Sequence, residues 1–376
     1  MEAYLAHVRR DGSAEQRVPE HLRRVGDLMA EFAAGIGLSA TARLIGLLHD
    51  LGKCTQEFAD YLAYCRQNPD DHSRRGTVDH ATAGGQLLRR RYGAHSEEGQ
   101  LAADMAALVI FSHHSGLMNY VDKKGCADFL RRVEKDDLLE RVDLAYYYRE
   151  VIGEEALDRL FAEAVGEFSA LDARIESCAS EETENYHFAW GMVHKLLFSM
   201  LVDADRLDSA EFELDVRWTQ EWHTEMLWDE FSVNLEKKLK SFPMPQKETA
   251  KKIAGLRQKI SDDCLRAAPN TPGIYKLSVP TGGGKTLAGM RFALRHAQLY
   301  GKKRIIFVIP YTSIIEQNAK EIRDIFGRDE AILEHHSNVL PEGIAGEDCV
   351  LDDSALYAIA GIHIEKYMDG ALVEGE

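Results

Sequence analysis

Between residues 19 and 240 the apolar positions recur every three or four residues, the period of helices that turn one face to a core. Pro19 is placed to open a first helix, with Leu22, Val25, Leu28, Met29 and Phe32 on one face and Gly35 and Gly37 as stops. Ser39 can cap a second helix, through Leu44, Leu47 and Leu48 to Gly52, and Asp79 a third that carries Leu87 and Leu88. A fourth is expected from about Gln100 to His114, stopping at Gly116. Residues 128–180 are charged and helix-favouring, and a strongly apolar helix follows from about His187 to Leu207. The texture changes after the two prolines of SFPMPQKE (241–248). IYKLSVP (274–280) and RIIFVIP (304–310) are β-branched runs flanking a helical stretch from about Lys285 to Leu299, the strand–helix–strand unit of a parallel sheet. The pattern therefore predicts a multidomain chain, with an all-α domain over 1–240, a linker over 241–250 and a partial α/β lobe over 251–376.

A length of 376 residues, 45% of them hydrophobic, leaves room for two or three such cores. The longest apolar runs, AALVIF (106–111) and IIFVI (305–309), fall far short of the ~20 residues that cross a bilayer. The N-terminus, MEAYLAHVRRDG, lacks the apolar centre of a secretory signal. Six cysteines form no C-x-x-C pair, so no disulfide framework is indicated. The expectation is a cytoplasmic protein with no membrane partner. A net charge of −17 argues against a surface that coats nucleic acid everywhere. Residues 251–310 nevertheless hold twelve Lys and Arg against Asp262 and Asp263, a local +10 that leaves −27 for the remainder. Such a segment can hold polyphosphate while the rest repels it.

The histidines carry the first chemistry. His21 shares its helical face with Val25, Leu28 and Phe32; His49 lies one turn after Ile45 and is followed by Asp50 in LLHDLGK. His80 opens the third helix, and His113 with His114 closes AALVIFSHH. Burying five imidazoles without partners would cost several kcal/mol, and metal ions are the economical partner. A carboxylate from another helix completes such a site, and FSMLVDADRLDS offers Asp203, Asp205 and Asp208. Asp205 sits under Leu201 and Phe198 on the apolar face and is preferred; Asp203 lies on a more polar edge and Asp208 near the helix end. Imidazoles with two carboxylates can hold two divalent ions ~3.5–4 Å apart, Asp50 bridging them. Nitrogen-rich ligation suits Mn, Fe, Co or Ni, and the chemistry such a pair performs is phosphoester hydrolysis.

SVPTGGGKT (278–286) follows an apolar run and precedes a helix, the context of a phosphate-binding loop. Gly282, Gly283 and Gly284 let backbone N–H groups approach phosphate oxygens, Lys285 would reach the β/γ-phosphates and Thr286 the magnesium of Mg-ATP. Val279 stands where a strict GxxxxGK[ST] has its first glycine.

His21, His49-Asp50 and Asp205 together resemble the HD metal-dependent phosphohydrolase superfamily over residues 15–215, and His80 with His113-His114 resembles its dinuclear branch. Lys53 in HDLGK stands where that family often keeps a basic residue near the scissile phosphate. PTGGGKT, including Thr281, resembles motif I of superfamily 2 helicases, whose first lobe is RecA-like. Gln258 stands at the place of their adenine-reading glutamine, and RIIFVIPYTSIIEQ resembles motif Ia, in which Thr312 and Gln317 would touch the bound strand. No DExD/H motif follows up to Glu376, so an incomplete motor lobe is expected that binds nucleotide weakly without turning it over. With EHHSN (334–338), the order of motifs is similar to that of the CRISPR-associated HD nuclease–helicases of type I systems. That resemblance implies a nuclease for single-stranded DNA, namely the non-target strand of an R-loop, fed by ATP-driven 3'-5' translocation. The implied partners are a guide-RNA surveillance complex and the remainder of the motor or an inhibitor protein. The same residues admit a phosphohydrolase of small nucleotides, or a non-catalytic docking fragment.

Overall fold

The computed structural model describes residues 4–332 apart from 10, 69, 70, 72, 75, 95, 122, 123, 136, 137, 179–182, 216–223 and 310. It divides into two units at residues 218/219.

The first unit opens with a short antiparallel hairpin, β1 (Leu5–Val8) and β2 (Glu15–Arg17), in which His7 faces Gln16 across the ladder. Helices follow: α1 (Val18–Ala33), α2 (Ser39–Leu48), α3 (Gln56–Gln67), α4 (Thr82–Tyr92) and α5 (Glu97–Ser112). After them come α6 (Asp128–Val133), α7 (Leu144–Glu150), α8 (Glu154–Cys178) and α9 (Thr183–Leu214). Leu22, Val25 and Met29 of α1 bury against Ala42, Ile45 and Leu48 of α2, and Leu88, Ile110, Tyr147, Leu157 and Leu201 close the core from the other helices. Each large apolar side chain so buried contributes roughly 1.5–3 kcal/mol. The amphipathic period read in the sequence is thus the packing pattern of the domain.

Two local features fix where the site forms. α1 and α2 cross with backbone against backbone, since a Cβ on Gly46 would lie 2.7 Å from the Cα of Gly26. That approach sets His21 of α1 beside His49 at the end of α2, their rings 5.2 Å apart. The start of α2 is pinned by Glu167 of α8, whose two carboxylate oxygens accept from the backbone N–H groups of Ala40 and Thr41, each at 2.8 Å. A helix N-terminus has free N–H donors and partial positive charge, so an acid satisfies it on both counts.

The second unit holds α10 (Thr224–Ser241), α11 (Glu248–Ala267), α12 (Lys285–Leu299) and α13 (Thr312–Phe326). Phe231 and Leu235 of α10 pack with Met290 and Leu294 of α12 and with Ile325 and Phe326 of α13; the Phe231 and Phe326 rings stack at 4.2 Å. α10, which the sequence pattern placed in the first domain up to 240, therefore packs here, and 241–250 runs from the end of α10 into the first turn of α11.

The two runs expected as parallel strands are not strands. Residues 274–280 and 304–309 have no regular secondary structure and make no ladder among the described residues, and Ile274, Ile306 and Val308 are exposed. β-propensity marks a residue that fits a half-buried pleated surface, and it becomes a strand only when a neighbour supplies the ladder. No helix among the described residues is long and apolar enough to cross a membrane.

Candidate metal centre

The HDLGK turn is the hub of the first unit. α2 closes at Leu48, so His49 and Asp50 sit in the turn beyond the helix rather than inside it, followed by a tight turn over Leu51–Lys53. Both are buried, as is His21. His21 Nε2 lies 3.5 Å from Asp50 Oδ2 and 3.4 Å from Asp205 Oδ1 of α9. His49 Nε2 lies 3.4 Å from Asp50 Oδ2 and 3.7 Å from Asp205 Oδ1. One donor atom from each of these four residues falls within 4.8 Å of every other. Asp50, His80 and His114 make a second such group. Asp50 turns its other oxygen that way: Oδ1 is 3.2 Å from His113 Nε2 and 3.9 Å from His80 Nε2. A single carboxylate thus divides its two oxygens between two sets of imidazoles.

The outer nitrogens explain why every Nε2 points inward. His49 donates its Nδ1–H to the carbonyl of Gly46 at 2.8 Å, His113 to that of Ile110 at 2.7 Å and His80 to that of Val78 at 3.0 Å. A carbonyl only accepts, so the proton is held on Nδ1 and Nε2 is left to face the pocket. Gly46 and Ile110 lie in the last turns of α2 and α5, whose carbonyls have no partner within the helix. Those free carbonyls anchor the rings, and the negative ends of two helices favour a cation beside them. Inside, the Nε2 atoms of His21 and His49 are buried and have no hydrogen-bond partner. His80 Nε2 and His114 Nε2 face each other at 2.8 Å, a separation that needs a proton or a cation between them.

The charges agree with this geometry. Burial works against a charged His49, but the Asp50 and Asp205 carboxylates overcome it and raise the imidazole to about 10. Burial pushes the Asp50 carboxyl up, and Lys53 with His49 overrides it, holding the group well below the usual carboxylate range; His49 does the same for Asp205. Lys53, 5% exposed, places Nζ 2.8 Å from Asp50 Oδ2 and 3.2 Å from Nε2 of His7. Loss of water around the His7 ring and the Lys53 charge hold His7 well below 6.5, so it accepts from the ammonium.

In the second unit the phosphate loop precedes α12. Gly282 and Gly284 adopt φ of +81°, a left-handed backbone that glycine takes without strain, and Gly284 caps the helix that Lys285 begins. Gly283 N–H donates to Pro280 O at 3.0 Å, closing the turn, while Thr281 and Lys285 are exposed and Thr286 is half-buried. From α11, Arg257 reaches the loop and donates to Gly282 O at 2.7 Å. Gln258 is turned along its own helix to Asp262 at 3.0 Å.

Residues 18–154 match the HD domain family, and residues 239–347 match the family described as type III restriction enzyme, res subunit. The chain carries an HD domain ahead of a helicase-like region. HD domains bind divalent metal ions, and the imidazole–carboxylate cluster is a donor set that fits them. No curated protein matches the chain.

Of the residues singled out in the sequence, His21, His49, Asp50, Lys53, His80, His113, His114 and Asp205 come together at one pocket of the HD domain. His80 stands in the loop before α4, not in the helix, which begins at Thr82 with Ala81 at its cap; Asp79 accepts from Thr82 N at 3.1 Å. Gln317 is exposed on α13; the side chain of Thr312 and the segment EHHSN lie outside the described residues. Sequence reasoning missed His7, Gln16 and Arg257, and it set Asp208 aside. Asp208 had a usable signal, since it lies three residues past Asp205 on the same helical face. A four-residue strand, LAHV, gives too short a period to mark His7.

Proposed function

We propose that this protein is a metal-dependent nuclease that hydrolyses phosphodiester bonds of single-stranded DNA, coupled in the intact protein to ATP-driven 3'-5' translocation. The observation that carries this reading is the pair of buried Nε2 atoms of His21 and His49, without partners and facing two carboxylates held ionised. A divalent cation satisfies both nitrogens and both acids at once, in place of the proton that the acids otherwise hold on His49.

His21, His49, Asp50 and Asp205 would hold one ion, and Asp50, His80, His113 and His114 the other, with Mn, Fe, Co or Ni suited to so much nitrogen. Bound there, divalent ions supply Lewis-acid activation of water and of the phosphodiester. The chain's own residues do the rest. Asp50 gives one oxygen to each set, Lys53 adds positive charge beside it, and the backbone-anchored imidazoles hold their orientation when substrate arrives. Gly282, Gly283, Gly284, Lys285 and Thr286 would cradle Mg-ATP, with Thr281 at the turn. Thr312 and Gln317 would lie along the strand backbone. The order of motifs along the sequence supports recruitment by a type I guide-RNA surveillance complex, and so a part in CRISPR antiviral defence.

The test is cleavage by the full chain in Mn or Co of labelled circular single-stranded DNA, duplex DNA and nucleoside triphosphates. Nicking of the single strand, lost in Asp50→Ala, is the expected result. Preferential hydrolysis of the triphosphates would make it a small-nucleotide phosphohydrolase, and full activity of the Asp50 variant in excess metal would overturn the site.

A further inference from the structure

His21 differs from the other anchored imidazoles in what holds its outer nitrogen. His49, His80 and His113 each donate Nδ1–H to a neutral backbone carbonyl. His21 donates to a carboxylate, Asp208 Oδ2, at 2.7 Å. Asp208 is 4% exposed, and the same oxygen accepts from Gln16 Nε2 at 2.8 Å. Gln16 is the one buried residue of β2, flanked by exposed Glu15 and Arg17, so its hydrogen bond is what that strand contributes to the buried contact. Asp205 and Asp208 lie one turn apart on α9. Asp205 approaches His21 Nε2 at 3.4 Å while Asp208 takes Nδ1, so one helix grips one imidazole by both edges.

We propose that Asp208 is the positioning residue of the metal centre: it fixes the ring of His21 and raises the donor strength of Nε2, with Gln16 setting the carboxylate's orientation. This rests on the metal-site reading above. A charged acceptor holds a donor more strongly than a neutral one, and an imidazole bonded to a carboxylate is the more basic ligand. His21 comes from α1, the acid from α9 and the amide from the hairpin. The contact therefore ties three separate elements to one ligand atom, and the hairpin gains a role in metal affinity although it offers no ligand to the four-residue group.

The test is titration of the full chain with Mn(II), free ion being counted by electron paramagnetic resonance, alongside the melting temperature of each metal-free variant. Asp208→Asn keeps the shape and one acceptor oxygen, enough for the bonds from both His21 and Gln16, while it removes the charge and makes the other oxygen a donor. It should weaken one class of Mn(II) sites roughly 10-fold, and Asp208→Ala up to roughly 100-fold, the range for partners behind a ligand. The melting temperature of Asp208→Asn should stay near that of the parent, which separates positioning from mere folding. Unchanged affinity in a folded Asp208→Asn overturns the proposal. Should that variant not fold, Gln16→Met replaces it: a smaller loss in the same class supports the role and no loss overturns it. A parent chain that binds no Mn(II) at all would instead sink the metal-site reading itself, a result distinct from equal binding by parent and variant.

Discussion

At His49 the two carboxylates positioned to hold a cation already hold a proton, because the field that attracts one attracts the other. Asp50 and Asp205 raise the imidazole to about 10, so at neutral pH His49 carries a proton on Nε2, the atom that would bind the ion. Taking up metal must expel that proton. The apparent association constant for Mn(II) should therefore rise about tenfold per pH unit between about pH 6 and pH 9, one proton being displaced throughout that window. Calorimetric titration in two buffers of different ionisation enthalpy would count the proton directly. A pH-independent constant, with no proton released, would mean that His49 is neutral before metal arrives. Lys53 belongs to the same balance. Its ammonium keeps the Asp50 carboxylate ionised inside the core and occupies the side of Oδ2 that faces His7, so the acid is charged before any ion binds.

The candidate ligands His49 and His113 stand just past helix ends, and that choice of place has a physical cause. A ligand in mid-helix has its neighbouring backbone already paired, whereas His49 and His113 stand past the last turns of α2 and α5, where free carbonyls can hold an imidazole by Nδ1. His80 is brought to them by a backbone contact. Gly52 N–H donates to His80 O at 3.1 Å, and a Cβ on Gly52 would lie 2.6 Å from that oxygen and from the Cα of His80. Gly52→Ala should push the His80 segment outward and break its approach to His114 while leaving His21, His49 and Asp205 in place. Metal analysis after dialysis should fall from two ions per chain to one; two ions held at parental affinity would show that the turn does not position the second set. The helices of this domain were legible because their apolar period survives in the fold, and Pro19 stands in the first turn of α1 as its chemistry predicts, whereas α4 has Ala81 rather than Asp79 at its cap, Asp79 accepting from Thr82 N–H from outside the helix. The histidines were legible as polar residues on apolar faces. The ends of the helices were not, since an imidazole taking a carbonyl three residues back closes a helix in a way no residue period reveals. The hairpin escaped because seven strand residues carry too little alternation, and the runs at 274–280 and 304–309 misled because a β-branched sequence states a preference while the ladder comes from a neighbour.

Across the whole molecule, charge and chemistry are divided between the two units. The imidazole–carboxylate set lies entirely within the first, and the glycine loop within the second, which also holds the +10 segment of an otherwise acidic chain. A basic segment provides affinity for phosphate without reading sequence, and on the reading proposed above the left-handed glycine turn capping α12 would meet a polyphosphate at the start of that helix. Hydrolysis at the metal centre needs neither of these groups. Lys285→Ala should therefore abolish binding of a fluorescent ATP analogue while Mn(II) affinity stays at the parental value and Mn-dependent nicking of single-stranded circles, without ATP, stays within about twofold. The comparison is informative because Lys285 is exposed at the start of α12, so its loss leaves no buried partner behind and the variant should melt with the parent. If nicking fell together with ATP binding, cleavage would depend on the nucleotide loop, and the independence of the two chemistries would be overturned.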